Sequence, residues 1–91
     1  MLMIRHSIGS RLFLQTEDYS ITPRGEQWLI SCRATEEEQS NLLEFRHELN
    51  LFHVTDENKT WYYSSKGEVH EGDGAITIVA DHQTVYPKEE K

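Results

Sequence analysis

A chain of 91 residues makes one domain with a thin core, since a domain of this size buries only about 60–65% of the surface its unfolded form exposes. A hydrophobic share of 36% beside 27% charged residues excludes a disordered chain, and no stretch nears the roughly 20 consecutive apolar residues of a membrane-spanning helix. The net charge of −7 repels phosphate backbones and anionic lipid, whose affinity for proteins comes from Lys and Arg, so neither nucleic acid nor membrane is the expected partner.

Residues 2–6 and 11–15 are short apolar runs around Ser7-Ile8-Gly9-Ser10, whose glycine supplies the positive φ of a tight reversal, and they predict a hairpin. Leu12 and Leu14 share one face of the second run and Phe13 takes the other, which predicts a strand covered in part on both sides. Thr22-Pro23-Arg24-Gly25 reads as a turn, with Pro second and Gly fourth. Beyond it Trp28, Ile30 and Cys32 alternate with Leu29, Ser31 and Arg33, the period of a strand, although helix formers at Gln27, Leu29 and Arg33 leave a helix over 26–34 as the alternative.

The stretch Tyr19-Ser20-Ile21-Thr22-Pro23-Arg24-Gly25-Glu26 resembles the "L-T-P-x-G" turn near the end of winged-helix transcriptional regulators. The resemblance covers this stretch alone, with no helix-turn-helix before it, and implies turn chemistry rather than a function.

Thr35 can cap a helix and Glu38 closes a capping box with it, while Glu36, Glu37 and Glu38 place negative charge at the positive end of the helix dipole. Leu42, Phe45 and Leu49 fall on one stripe, Arg46 and His47 sit near the negative end, and Asn50 can stop the element; a helix over 35–50 follows. The period then becomes two. Strands are predicted over 51–54, 60–64, 68–70 and 75–80, separated by turns at Asp56–Lys59, Ser65–Gly67 and Glu71–Gly74, with Trp61 and Tyr63 facing opposite to Tyr62.

The order implies an α+β fold: a mostly antiparallel sheet of five to six strands, open or partly closed into a barrel, with one helix over about 35–50 on one face. It forms a single domain over residues 1–86, followed by a frayed tail over 87–91. One helix cannot cover such a sheet. The remaining face must be polar, fold over on itself, or be buried against a second copy or another partner.

Catalytic, cofactor-binding and metal-ligating residues are not expected. His6, His47, His53, His70 and His82 lack zinc-site spacing, and the one cysteine, Cys32, has apolar neighbours in a strand, where a thiol is inert. Gly72-Asp73-Gly74 precedes a β-branched run instead of the helix a phosphate cradle needs, so it reads as a hairpin turn. A lone cysteine and an amino terminus without a secretory apolar run fit a cytoplasmic protein.

Two features point to binding. Trp61-Tyr62-Tyr63 projects aromatic rings from both faces of one strand, and Trp and Tyr are enriched at interface hot spots. Charge is also uneven: residues 1–34 hold four Arg against three acids, a net of +1, and residues 35–91 hold five Lys or Arg against thirteen acids, a net of −8. The expectation is a small acidic, non-enzymatic protein-binding domain, an inhibitor or immunity-type protein that neutralises a basic partner. Trp61 and Tyr63 would serve as anchors and Glu44, Glu48 and Glu57 as a charged rim. The alternative is a structural or assembly subunit that buries its free sheet face in a homo-oligomer.

Overall fold

Apolar and polar residues alternate along most of the chain, and the computed structural model, which describes residues 1–87, resolves that alternation as nine strands and one helix. In chain order these are β1 (Leu2–His6), β2 (Leu12–Thr16), β3 (Tyr19–Arg24), β4 (Gln27–Arg33), α1 (Glu36–Glu44), β5 (Leu49–Val54), β6 (Asn58–Tyr63), β7 (Glu68–Glu71), β8 (Ala75–Ala80) and β9 (His82–Pro87). The α+β class, the antiparallel pairing and the one helix are as expected. The strands divide into a five-stranded sheet of order β2-β1-β5-β6-β9 and a four-stranded sheet of order β3-β4-β8-β7, and among the described residues no barrel closes.

The second sheet solves the coverage problem that one helix leaves. Leu2, Ile4, Leu51 and Tyr62 from the five-stranded sheet share one core with Ile30, Ile76 and Ile78 from the other, all of them buried. Trp28 of β4 meets Tyr62 of β6 edge to face across this core, with ring centroids 5.7 Å apart. The helix packs against β2 and β7, an edge strand of each sheet, and so closes one side of the gap between them. Buried Gln39 ties it there: its Nε2 donates to the Ala34 carbonyl and its Oε1 accepts from the Gly72 N–H. No helix among the described residues is long and apolar enough to cross a membrane.

Several boundaries move for local reasons. The capping box forms as expected, with the Glu38 N–H donating to Thr35 Oγ1 and the Thr35 N–H to Glu38 Oε1, but the helix ends at Glu44. Leu49 satisfies both a helical stripe and the alternation Leu49-Asn50-Leu51, and pairing of Leu49 with His6 of β1 decides for strand. Pro23 lies inside β3 and the reversal falls at Gly25-Glu26, where Gly25 takes φ +63°. An edge strand tolerates this proline because one side of its backbone needs no donor.

In the first hairpin Gly9 supplies the positive φ, at +83°. A bulge then pairs Ile4 with Leu14 but Arg5 with Leu12, so Phe13 is an extra residue. Phe13 and Leu14 are therefore both buried, and Leu12, expected on the same face as Leu14, is exposed. Pro87, placed at the start of the tail, instead ends β9 opposite Asn58; residues 88–91 of that tail lie outside the described residues.

Candidate functional site

Strands β5, β6 and β9 lie side by side, and every second residue on them points away from the core. On β6, Thr60 and Tyr62 are buried while Trp61 and Tyr63 are only half-buried; the two rings lie opposite to Tyr62, as the alternation predicts, and theirs is the outward face. Trp61 pairs across the strands with Phe52 of β5, and Tyr63 pairs with His82 of β9. The result is an aromatic strip on the outer face of the five-stranded sheet.

Both outward rings of β6 are held by their polar ends. Trp61 Nε1 donates to Asn50 Oδ1 at 2.9 Å, and the Tyr63 hydroxyl donates to the His47 carbonyl at 2.9 Å. Leaning the same way, they lie nearly parallel, at 9° with centroids 5.9 Å apart, and the His82 ring follows at 6.1 Å from Tyr63. Trp61 also borders an open groove of about 510 Å³ with Phe52, Lys59 and Tyr86. The Lys59 ammonium sits 4.6 Å from the centre of the Phe52 ring, a cation–π contact.

The acids named as a rim sit on three different parts of the chain. Glu48 lies 2.6 Å from His6 Nε2, beside the rings of Phe13 and Phe45 that flank that histidine. Glu44 ends the helix, on the side of the fold that packs against β2 and β7. Glu57 sits in the β5–β6 turn, where its N–H donates to Thr55 Oγ1, and is the one acid of the three on the hairpin that carries the strip. The outward residues of β5, β6 and β9 include Lys59 and no acid.

Phe52, Lys59 and Tyr86 were not read as site residues from the sequence. Phe52 could have been found by its alternation with Leu51, but its meeting with Trp61 depends on the β5–β6 register. Tyr86 depends on β9, a strand the sequence analysis did not assign.

Burial first, and then the charges of Glu38 and Asp18, push the Cys32 thiol up to about 11, which keeps it protonated. Asp81 accepts hydrogen bonds from the side chain and the backbone N–H of Ser65, and these hold its carboxyl below the usual range. Gly72-Asp73-Gly74 forms the β7–β8 turn, with Gly74 at φ +74° and the Gly72 N–H donating to the Ala75 carbonyl. Among the described residues no three His, Cys, Asp or Glu side chains come close enough to share a metal ion. Comparison of the chain with protein-family models, with curated proteins and with solved structures gives no match.

Proposed function

We propose that this chain is a non-enzymatic protein-binding domain of the inhibitor or immunity type, which docks its partner on the outer face of the five-stranded sheet. The observation that carries this reading is the outward strip of half-buried Phe52, Trp61 and Tyr63 and exposed Tyr86, with the Trp61 and Tyr63 rings fixed by hydrogen bonds. Rings already held in place lose little freedom when a partner covers them, so more of the buried area appears as affinity. The groove beside Trp61 has the form of a pocket for an apolar side chain of the partner.

Charge acts at longer range in this proposal. The strip itself lacks acids, while the chain as a whole carries −7. The field of the whole molecule then draws a basic partner in, and the aromatic strip makes the contact. The test compares capture of a partner by the wild type and by Trp61→Ala at low and high salt, with circular dichroism to establish that the variant is folded. A protein held by the wild type, released by salt and lost with Trp61→Ala supports the reading. Equal capture by the folded variant sinks the site, and capture indifferent to salt sinks the steering role.

A further inference from the structure

The two sheets have four edges, and three of them are guarded. β2 carries a bulge and has the helix beside it. β3 contains Pro23, which cannot donate to a further strand. β7 has only four residues, two of them glutamates, and also lies against the helix. Bulges, prolines, charges and covering helices are the devices that keep sheet edges from pairing. On the fourth edge, β9, none of them operates before its last residue: His82-Gln83-Thr84-Val85-Tyr86 is continuous with β6, free of Lys, Arg, Asp and Glu, and exposed throughout. Val85 and Tyr86 are 49% and 52% exposed, two of the four large apolar side chains left open on the surface among the described residues.

We infer that β9 pairs antiparallel with β9 of a second copy of this chain, joining the two five-stranded sheets into one. A free strand edge demands an extended backbone, and the rest of the geometry selects the copy. Pro87 has no N–H to contribute, which confines useful pairing to residues 82–86. A twofold axis through such a pair must lie perpendicular to the sheet and pass between two identical residues. The centre of the segment is Thr84.

In that register Thr84 faces Thr84 of the second copy, Gln83 faces Val85, and His82 faces Tyr86. The one titratable group of the segment before its tyrosine, His82, thus meets an aromatic ring and not its own equivalent. Tyr86 of each copy comes beside the Tyr63–His82 contact of the other, so both aromatic strips run on across the joint. Val85, open because the four-stranded sheet does not cover it, gains a neighbour.

The pairing shares Tyr86 with the docking strip but answers to different conditions. Two bodies of charge −7 repel one another, and added salt screens that repulsion, so self-association strengthens with salt where capture of a basic partner weakens. Sedimentation of the intact chain from micromolar to near-millimolar concentration should show a mass that rises from one chain to two, at lower concentration in high salt. Val85→Lys, at an exposed side chain, should hold the mass at one chain with an unchanged circular dichroism spectrum. Under mild oxidation Thr84→Cys should link two copies covalently, because residues directly opposite in an antiparallel pair lie at disulfide distance, whereas His82→Cys should not. Trp61→Ala should leave the dimer intact, which keeps failure of this inference separate from failure of the docking site. A mass of one chain at every concentration without cross-linking at position 84 would overturn the pairing. So would a dimer that Val85→Lys leaves whole, or one that links better through position 82 than through 84.

Discussion

Trp61 and Tyr62 are neighbours in the chain, and the pleat of β6 sends one ring to solvent and the other into the core. Their truncations should therefore differ in kind. Tyr62 is 4% exposed, meets Trp28 edge to face and accepts a hydrogen bond from Gln83 Nε2. Tyr62→Ala should cost about 3–5 kcal/mol, the range for aromatic-to-alanine changes in a core. Trp61→Ala removes one hydrogen bond to Asn50 and one stacking contact with Tyr63, together about 1–2 kcal/mol, and leaves no enclosed cavity. Urea denaturation of the two variants checks the contrast. A Trp61→Ala protein as unstable as Tyr62→Ala would place Trp61 in the framework of the fold and remove it from the proposed interface.

At the scale of elements, the support behind the aromatic strip comes from outside its own strands. Gly67, in the turn between β6 and β7, takes φ +62°, and a Cβ there would lie 2.6 Å from atoms of the His47 ring. The His47 carbonyl is the acceptor that fixes Tyr63. Gly67→Ala therefore carries both left-handed backbone strain and pressure on the residue that positions a ring of the site, and should destabilise the protein by about 1–3 kcal/mol. In a His47→Ala background the clash is gone and only the strain remains, about 1–2 kcal/mol. A cost of Gly67→Ala that is the same in both backgrounds would show that the His47 ring simply swings away.

The same scale explains what could be read from the sequence. The start of α1 was legible because a capping box is chemistry between residues three apart, whereas its end was not, because Leu49 suits a helical stripe and a strand equally well. That Trp61 and Tyr63 share a face opposite to Tyr62 followed from alternation alone, but which of the two faces is outward did not, because packing against the second sheet decides it. Nor did the groove, since Phe52 and Tyr86 reach it only through the β5–β6 and β6–β9 registers. β9 itself has alternation too polar to announce a strand, and β6 supplies its pairing. Division into two sheets likewise rests on which strands hydrogen-bond, a property no local window contains. Glu44, Glu48 and Glu57 were grouped by charge alone, and no local window shows that the fold pairs Glu48 with His6.

For the molecule as a whole, two depressed pKa values act in the same direction on stability. His53 is lowered chiefly by burial beneath the four-stranded sheet, where it meets Tyr19 of β3 edge to face, and next by the amino-terminal ammonium. Asp81 is lowered by its two hydrogen bonds from Ser65, a link between the β8–β9 corner and the β6–β7 corner. In both cases the unfolded chain takes up a proton at a pH where the folded chain still refuses it, so stability falls as acid is added. The His53 contribution is complete above the ordinary histidine value of about 6.5 and declines as the pH drops from there to the folded value. That of Asp81 is complete above about 3.9 and is lost as the pH falls through the lower folded value. The urea midpoint should therefore step down twice, first on the acid side of about pH 6.5 and again below about pH 4. Replacing His53 by Asn should remove the first step and keep the second, while Asp81→Asn should do the reverse. A first step that survives in the His53→Asn protein would assign it to another histidine, and a midpoint that climbs steadily into acid would mean that relief of the −7 self-repulsion outweighs both groups.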